Sequence, residues 1–254
     1  MSCVISVVNN KGGVGKTTTV FNLSEALARE GKKVLMIDLD PQGSLTAYLG
    51  FDPLKITHTV YDVLIDSMPI EDSIYETDTE NLHIITSGID LSAAEVAIVS
   101  KIGSEFVLKK KLGKIKELYD YIIIDNSPSL GMLTVNSLIA SNYVIAPVDP
   151  TYLSLKGLDI LTATLNEVKP LNENLEIMGV LVTMFDGRTT HNTEVLELLI
   201  ERYPVFKSVI KRTIKFADAC LASKSIMSFA GTSFEGSVAY LNLAKEVLEY
   251  GQED

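Results

Sequence analysis

Cysteine and histidine are scarce in this chain, and positive charge is outnumbered. The two cysteines, Cys3 and Cys220, lie far apart and outside any C-x-x-C pair. That excludes a disulfide framework or a thiolate metal cluster and suits a reducing cytosol. The three histidines, His58, His83 and His191, have no ligand spacing, so no histidine-built metal site is expected. Against 33 acidic residues stand 22 lysines and arginines, a net charge of −11. Such a balance repels phosphate backbones, so any DNA-contacting surface has to be a local basic patch. The segment from Asn126 to Val148 is uncharged but is broken by Pro128, Gly131, Pro147 and polar side chains. It reads as loop, helix and buried strand, not as a membrane span. The N-terminus lacks the basic segment and apolar core of a signal peptide, and a cytoplasmic location is expected.

What is present begins with an apolar run, Cys3 to Val8, followed by Lys11-Gly12-Gly13-Val14-Gly15-Lys16-Thr17-Thr18 and a helix-like segment to Ala28. Strand, glycine-rich turn and helix is the setting of a phosphate-binding loop. Glycines let backbone N–H groups turn inward around an anion, and the positive end of the following helix points at the same place. In this scheme Lys16 reaches the β- and γ-phosphates of a nucleotide and the Thr17 hydroxyl ligates Mg²⁺. The loop departs from the common G-x-x-x-x-G-K-[ST] pattern. Asn10 stands where its first glycine belongs, and a second lysine, Lys11, stands at the head.

After a helix stop at Glu30 to Lys33, Val34-Leu35-Met36-Ile37 reads as a strand buried on both faces and ending at Asp38-Leu39-Asp40-Pro41. A right-handed crossover brings the carboxyl ends of parallel strands to one edge, which puts Asp38 and Asp40 beside the phosphate loop. Tyr121-Ile122-Ile123-Ile124-Asp125 reads as a second such strand, with Asp125 holding a Mg²⁺-bound water. Ser127 to Gly131 follows as a switch loop. Further strands are expected at 82–86, 143–148, 177–184 and 205–210, and helices at 102–118, 132–140, 152–168, 194–202 and 236–250. The acidic stretch Glu71 to Glu80 reads as a solvated loop. With no repeat, low-complexity segment or linker, residues 1–254 are expected to form one domain. Its class is α/β, a doubly wound, mostly parallel sheet with helices on both faces.

The K-G-G-x-G-K-T-T loop resembles the deviant Walker A motif of the ParA/MinD class of P-loop ATPases. Nearly the whole chain is similar to the chromosomal-type (Soj-like) ParA partition ATPases, through Lys11 to Thr18, Asp38 to Gln42, Asp125 to Gly131, Val182 to Thr189 and Ala239 to Glu246. The resemblance implies a homodimer sandwiching two ATP molecules, with Lys11 crossing to the partner's phosphates and Asp40 positioning the attacking water. It also implies nonspecific DNA binding on the nucleoid by the ATP state and a ParB-type partner that stimulates hydrolysis. Arg188, Lys211, Arg212 and Lys215 are the candidate DNA contacts. Their alternative role is surface solvation or pairing with the abundant carboxylates. The sequence departs from the family at Asn126-Ser127, at Lys211 in place of a usual proline, and over Cys220 to Lys224. No built-in arginine finger is evident, so hydrolysis without a partner is expected to be slow.

Rival readings meet specific obstacles. A MinD-type membrane switch needs an amphipathic basic tail, and this chain ends Leu248 to Asp254 with Glu249, Glu253 and Asp254. A metal-cluster ATPase of the nitrogenase iron protein or Mrp type needs paired cysteines. A metabolic ligase on the same fold stays open.

Overall fold

The apolar runs become strands because a strand with helices on both faces has no side to offer to water. The computed structural model describes residues 2–52, 55–66, 68–99 and 102–250. Its strands are β1 (Cys3–Val7), β2 (Val34–Leu39), β3 (Ile74–Glu76), β4 (Leu82–Ile85), β5 (Tyr121–Asn126), β6 (Tyr143–Val148) and β7 (Glu176–Val182). They form one sheet in the order β3-β4-β2-β5-β1-β6-β7. Every neighbouring pair is parallel except β3 and β4. The helices are α1 (Lys16–Arg29), α2 (Ser44–Tyr48), α3 (Val60–Leu64), α4 (Leu91–Val99), α5 (Val107–Leu112), α6 (Met132–Ala140), α7 (Tyr152–Val168), α8 (Thr190–Arg202), α9 (Lys215–Leu221), α10 (Ile226–Ala230) and α11 (Glu235–Tyr250).

Side chains alternate across the sheet and so fill two layers. Ile5, Met36 and Ile123 face one side, where they join Leu23 and Leu27 of α1 and Leu243 and Val247 of α11. Leu35, Ile37, Ile122 and Ile124 face the other, against Ile98 of α4 and Leu108 of α5. Val144, Val148 and Val180 continue that second layer beneath Leu158 and Leu161 of α7 and Leu199 of α8. The expected doubly wound α/β sheet is therefore the observed one.

Several elements differ from expectation. The helix predicted over 102–118 is three short pieces, with α5 flanked by 3-10 turns at Ser104–Phe106 and Lys116–Leu118. Past Gly113 the ladder tightens to i→i+3 bonds, Lys114 N–H to the Lys111 carbonyl and Ile115 N–H to Leu112. The lysine periodicity continues through that break, so it does not register the change. The segment predicted as a strand at 205–210 forms no regular ladder with β7: it has one isolated bridge, Val180 to Val205, and single backbone hydrogen bonds from Phe206 to Val180 and from Ile210 to Val182. Pro204 has no N–H to donate there, and the Phe206 ring packs over Gly179, where a Cβ would come within 2.5 Å of it. The acidic stretch near Glu76 supplies the antiparallel edge strand β3 instead of a loop. The helices α4, α9 and α10 were not anticipated. Helix α8 begins at Thr190 rather than Glu194. The acidic tail 251–254 lies outside the described residues.

Candidate functional site

The phosphate loop links the end of β1 to the start of α1, and its shape requires glycine at two positions. Gly13 and Gly15 have φ of 74° and 86°, the left-handed region that side chains disfavour. The loop is fastened on both sides. Asn9 accepts from the Lys11 N–H at 2.9 Å while its own amide donates to the Pro147 carbonyl at 2.7 Å. Thr183, just past β7, donates to the Val14 carbonyl at 2.9 Å and approaches the Val148 carbonyl at 3.1 Å. Lys16 opens α1 only 7% exposed, and its ammonium donates to the Lys11 carbonyl at 3.3 Å. Burial lowers its pKa, against the pull of the Asp125 and Asp40 charges. A buried cation resting on one carbonyl is a cation poised for an anionic ligand. Gly12 and Gly13 lie exposed at the mouth, Val14 is buried, and Gly15, Thr17 and Thr18 are half-buried.

The carboxylates arrive by strand register. Asp125 pairs with Val7 on β1 and with Asp38 on β2, so two acids stand side by side at the carboxyl edge of the sheet. Burial drives the Asp125 pKa well above the ordinary carboxylate value, and the Asp38 charge adds to it. The Thr17 hydroxyl and Lys16 oppose that rise. Both Asp125 oxygens are buried without a hydrogen-bond partner, although the Thr17 hydroxyl comes near enough to hold the pKa down. Such an orphan acceptor is costly unless a donor or cation meets it. Thr17 and Asp125 thus fit a Mg²⁺ ion that keeps several waters and takes few protein ligands.

Asp38 differs from Asp125. One oxygen accepts the Thr46 N–H at 2.9 Å and its hydroxyl at 2.7 Å, and the other accepts the Asp40 N–H at 3.2 Å. Its pKa is still pushed up to about 6, by burial first. Its oxygens thus hold the 40–46 turn in place; the sequence also makes Asp38 a candidate Mg²⁺ ligand, partly through water, beside Thr17 and Asp125. Asp40 is 9% exposed and accepts the Gln42 N–H at 3.0 Å. It does not cap α2, whose N-cap is Gly43.

Lys11, expected to reach a partner, is folded onto its own subunit. Its ammonium sits 2.7 and 2.9 Å from the two Asp149 oxygens. Sequence reasoning missed Asp149, whose only signal was an acid at the carboxyl end of a buried strand. It also missed a pocket of about 240 Å³ beside Gly15 and Thr18, lined by Met184, Ile210, Phe216 and Tyr240 and edged by Lys211 and Arg212. An apolar slot adjoining a phosphate loop suits the flat base of a nucleotide.

The four DNA candidates gather near Phe234. Arg188, Lys211 and Arg212 line one depression together with Phe234, and the Lys215 ammonium stands 5.8 Å from the Phe234 ring centre. Two are already engaged: Arg188 with Asp186 at 2.7 Å, and Lys211 with Glu235. Arg212 and Lys215 are exposed.

Known proteins share this arrangement. The family described as AAA domain matches residues 2–177. The sporulation initiation inhibitor protein Soj of Bacillus subtilis is 44% identical over 99% of this chain and 100% of its own length. The chain belongs to the ParA/Soj class of P-loop ATPases. The chromosome-partitioning ATPase Soj of Treponema pallidum is 39% identical, over 98% of each chain. Among solved structures, cobyrinic acid a,c-diamide synthase from Mycobacterium smegmatis, with bound ADP and magnesium, superposes with a TM-score of 0.87. It is 36% identical and the match covers 99% of this chain and 96% of that one. The activity is that of an ATPase, and the expected cofactors, ATP and Mg²⁺, match what such solved relatives hold. No helix among the described residues is long and apolar enough to cross a membrane.

Proposed function

We propose that the whole chain, residues 1–254, acts as one ATP-switched partition ATPase for a chromosome or plasmid. It pairs with a second copy on ATP, binds DNA without sequence preference in the paired state, and is reset when a ParB-like partner accelerates hydrolysis. The carrying observation is the second lysine. Lys16 is buried beside Asp125 and is sufficient for one nucleotide, whereas Lys11 stands 36% exposed at the rim, where a facing subunit would come.

Hydrolysis asks mainly for positioning and charge neutralisation on the transferring phosphoryl group. Lys16 and the loop amides hold the β- and γ-phosphates, Thr17, Asp125 and Asp38 would hold Mg²⁺, partly through water, and Lys11 adds its charge from the partner. Mg²⁺ supplies neutralisation of the phosphate oxygens when bound. Asp40 orients the attacking water and accepts its proton, while Asp38 keeps the Asp40 backbone in place. Lys11, Lys16 and Asp40 are thus the catalytic set, and Gly12 to Thr18 the nucleotide cradle. Arg188, Lys211, Arg212 and Lys215 form the DNA-facing patch in a cytoplasmic, nucleoid-associated protein.

Sedimentation with ATP, ADP or no nucleotide, with and without random-sequence DNA, tests this. Doubling of mass with ATP alone, and DNA association that weakens steeply with salt, are the expected results. ATP-independent mass together with DNA association indifferent to salt refutes the reading.

A further inference from the structure

The Lys11 ammonium does not point into solvent. It sits in an acceptor built by one short segment following β6. Both Asp149 oxygens lie within 2.9 Å of Lys11 Nζ and the Thr151 hydroxyl within 3.4 Å. Ser154, itself 1% exposed, donates to Asp149 at 2.5 Å and stands 3.0 Å from the Thr151 hydroxyl. Burial raises the Asp149 pKa, but the bonds from Lys11 and Ser154 outweigh it and hold the carboxyl below its ordinary value. The group is therefore an anion at neutral pH.

The surrounding backbone cannot follow Lys11 elsewhere. Asn9 ties the Lys11 N–H to the Pro147 carbonyl, so the head of the phosphate loop and the end of β6 are one unit. What is free to change partner is the flexible four-carbon stem of the lysine. With side chains 36% and 20% exposed, the pair is half-wet and correspondingly modest in strength. A triphosphate presents more negative charge than one carboxylate and can outcompete it.

We propose that Asp149 is a positioning residue for Lys11: it holds the lysine within its own subunit and so sets the threshold for ATP-driven pairing. This rests on the partition reading above. Each pair of subunits has to release two such contacts, so the effect of the latch enters twice.

The test is the protein concentration for half-pairing at saturating ATP and Mg²⁺, read by analytical ultracentrifugation, beside the melting temperature. Asp149→Asn keeps the shape and removes the charge. It is expected to lower the half-pairing concentration about 2- to 30-fold, the range for two surface ion pairs. Ser154→Ala, which loosens the carboxylate, should move it the same way by less. Asp149→Glu should return it to the wild-type value. A purely structural role would instead lower the melting temperature and raise the half-pairing concentration, and that result overturns the proposal. So does an unchanged half-pairing concentration in both Asp149→Asn and Ser154→Ala when the wild-type chain pairs normally. If the wild-type chain does not pair on ATP at all, the partition reading falls and this one with it.

Discussion

Two charged regions of this molecule are built on opposite terms. At the carboxyl edge of β1, β2 and β5, charge is buried and left open: Asp125 has no partner, and Lys16 has one carbonyl. On the face carrying Arg188 to Lys215, charge is exposed and partly closed already, by Asp186 and Glu235. Burying an unmatched charge costs several kcal/mol, so it is retained only where a ligand completes it. Exposed pairs cost little and contribute little. The first region therefore identifies its ligand by what it lacks, while the second is compatible with DNA without requiring it.

The sharpest way to break this contrast is Lys16→Ala. Loss of charge-assisted contacts to phosphate should weaken ATP binding by roughly a hundredfold or more, measured by titration calorimetry. A change below tenfold places the phosphates elsewhere. Next in size is Asp125→Asn. Neutralising an orphaned buried acid should stabilise the nucleotide-free protein by about 1–3 kcal/mol while abolishing the Mg²⁺ dependence of nucleotide binding. The pH profile has a definite sign. The Asp38 pKa stands at about 6 against an ordinary 3.8, and Asp125 is raised as well. The folded state thus holds these protons longer than the unfolded one, and their contribution to stability falls as pH rises through that interval. Thermal unfolding at pH 5 and pH 7.5 should show this slope in wild type and a shallower one in Asp125→Asn.

Smaller effects sharpen the other side. Charge reversal at Arg212 or Lys215 should weaken DNA binding by roughly tenfold each and reduce the salt slope by about 1–2, with nucleotide affinity left alone at Lys215, which does not line the pocket beside Gly15 and Thr18. Arg188→Ala should cost less than Arg212→Ala, because Asp186 already occupies the Arg188 guanidinium. Equal losses in a fluorescence anisotropy assay would mean that Asp186 lets go on binding. The smallest expected effect is at the frame. Thr183→Val removes the ties to Val14 and Val148 and should lower stability by about 1–2 kcal/mol, with Thr183→Ser close to wild type.

How much of this was legible varied by element. The strand at 121–126 was readable because isoleucines buried on both faces leave a continuous apolar run. The helix over 102–118 was misread because lysine spacing does not register the tightening after Gly113. The small helices α9 and α10 carry too few turns for a periodicity to stand out. At the site, the loop glycines, Lys16 and the strand-terminal acids were visible as motifs. The different bonding of Asp38 and Asp125 was not, since it depends on Thr46 reaching one of them.

Local chemistry along the chain determined the phosphate loop, the buried strands and the side of the sheet to which the acids are delivered, because each follows from a few neighbouring residues and a fixed handedness of crossover. Tertiary structure alone decided which charges were left without partners. Lys11 meets Asp149 across 138 residues, and Thr183 meets Val14 across 169. Contacts at that range depend on how strands are ordered in the sheet, and no periodicity or spacing in the chain records it.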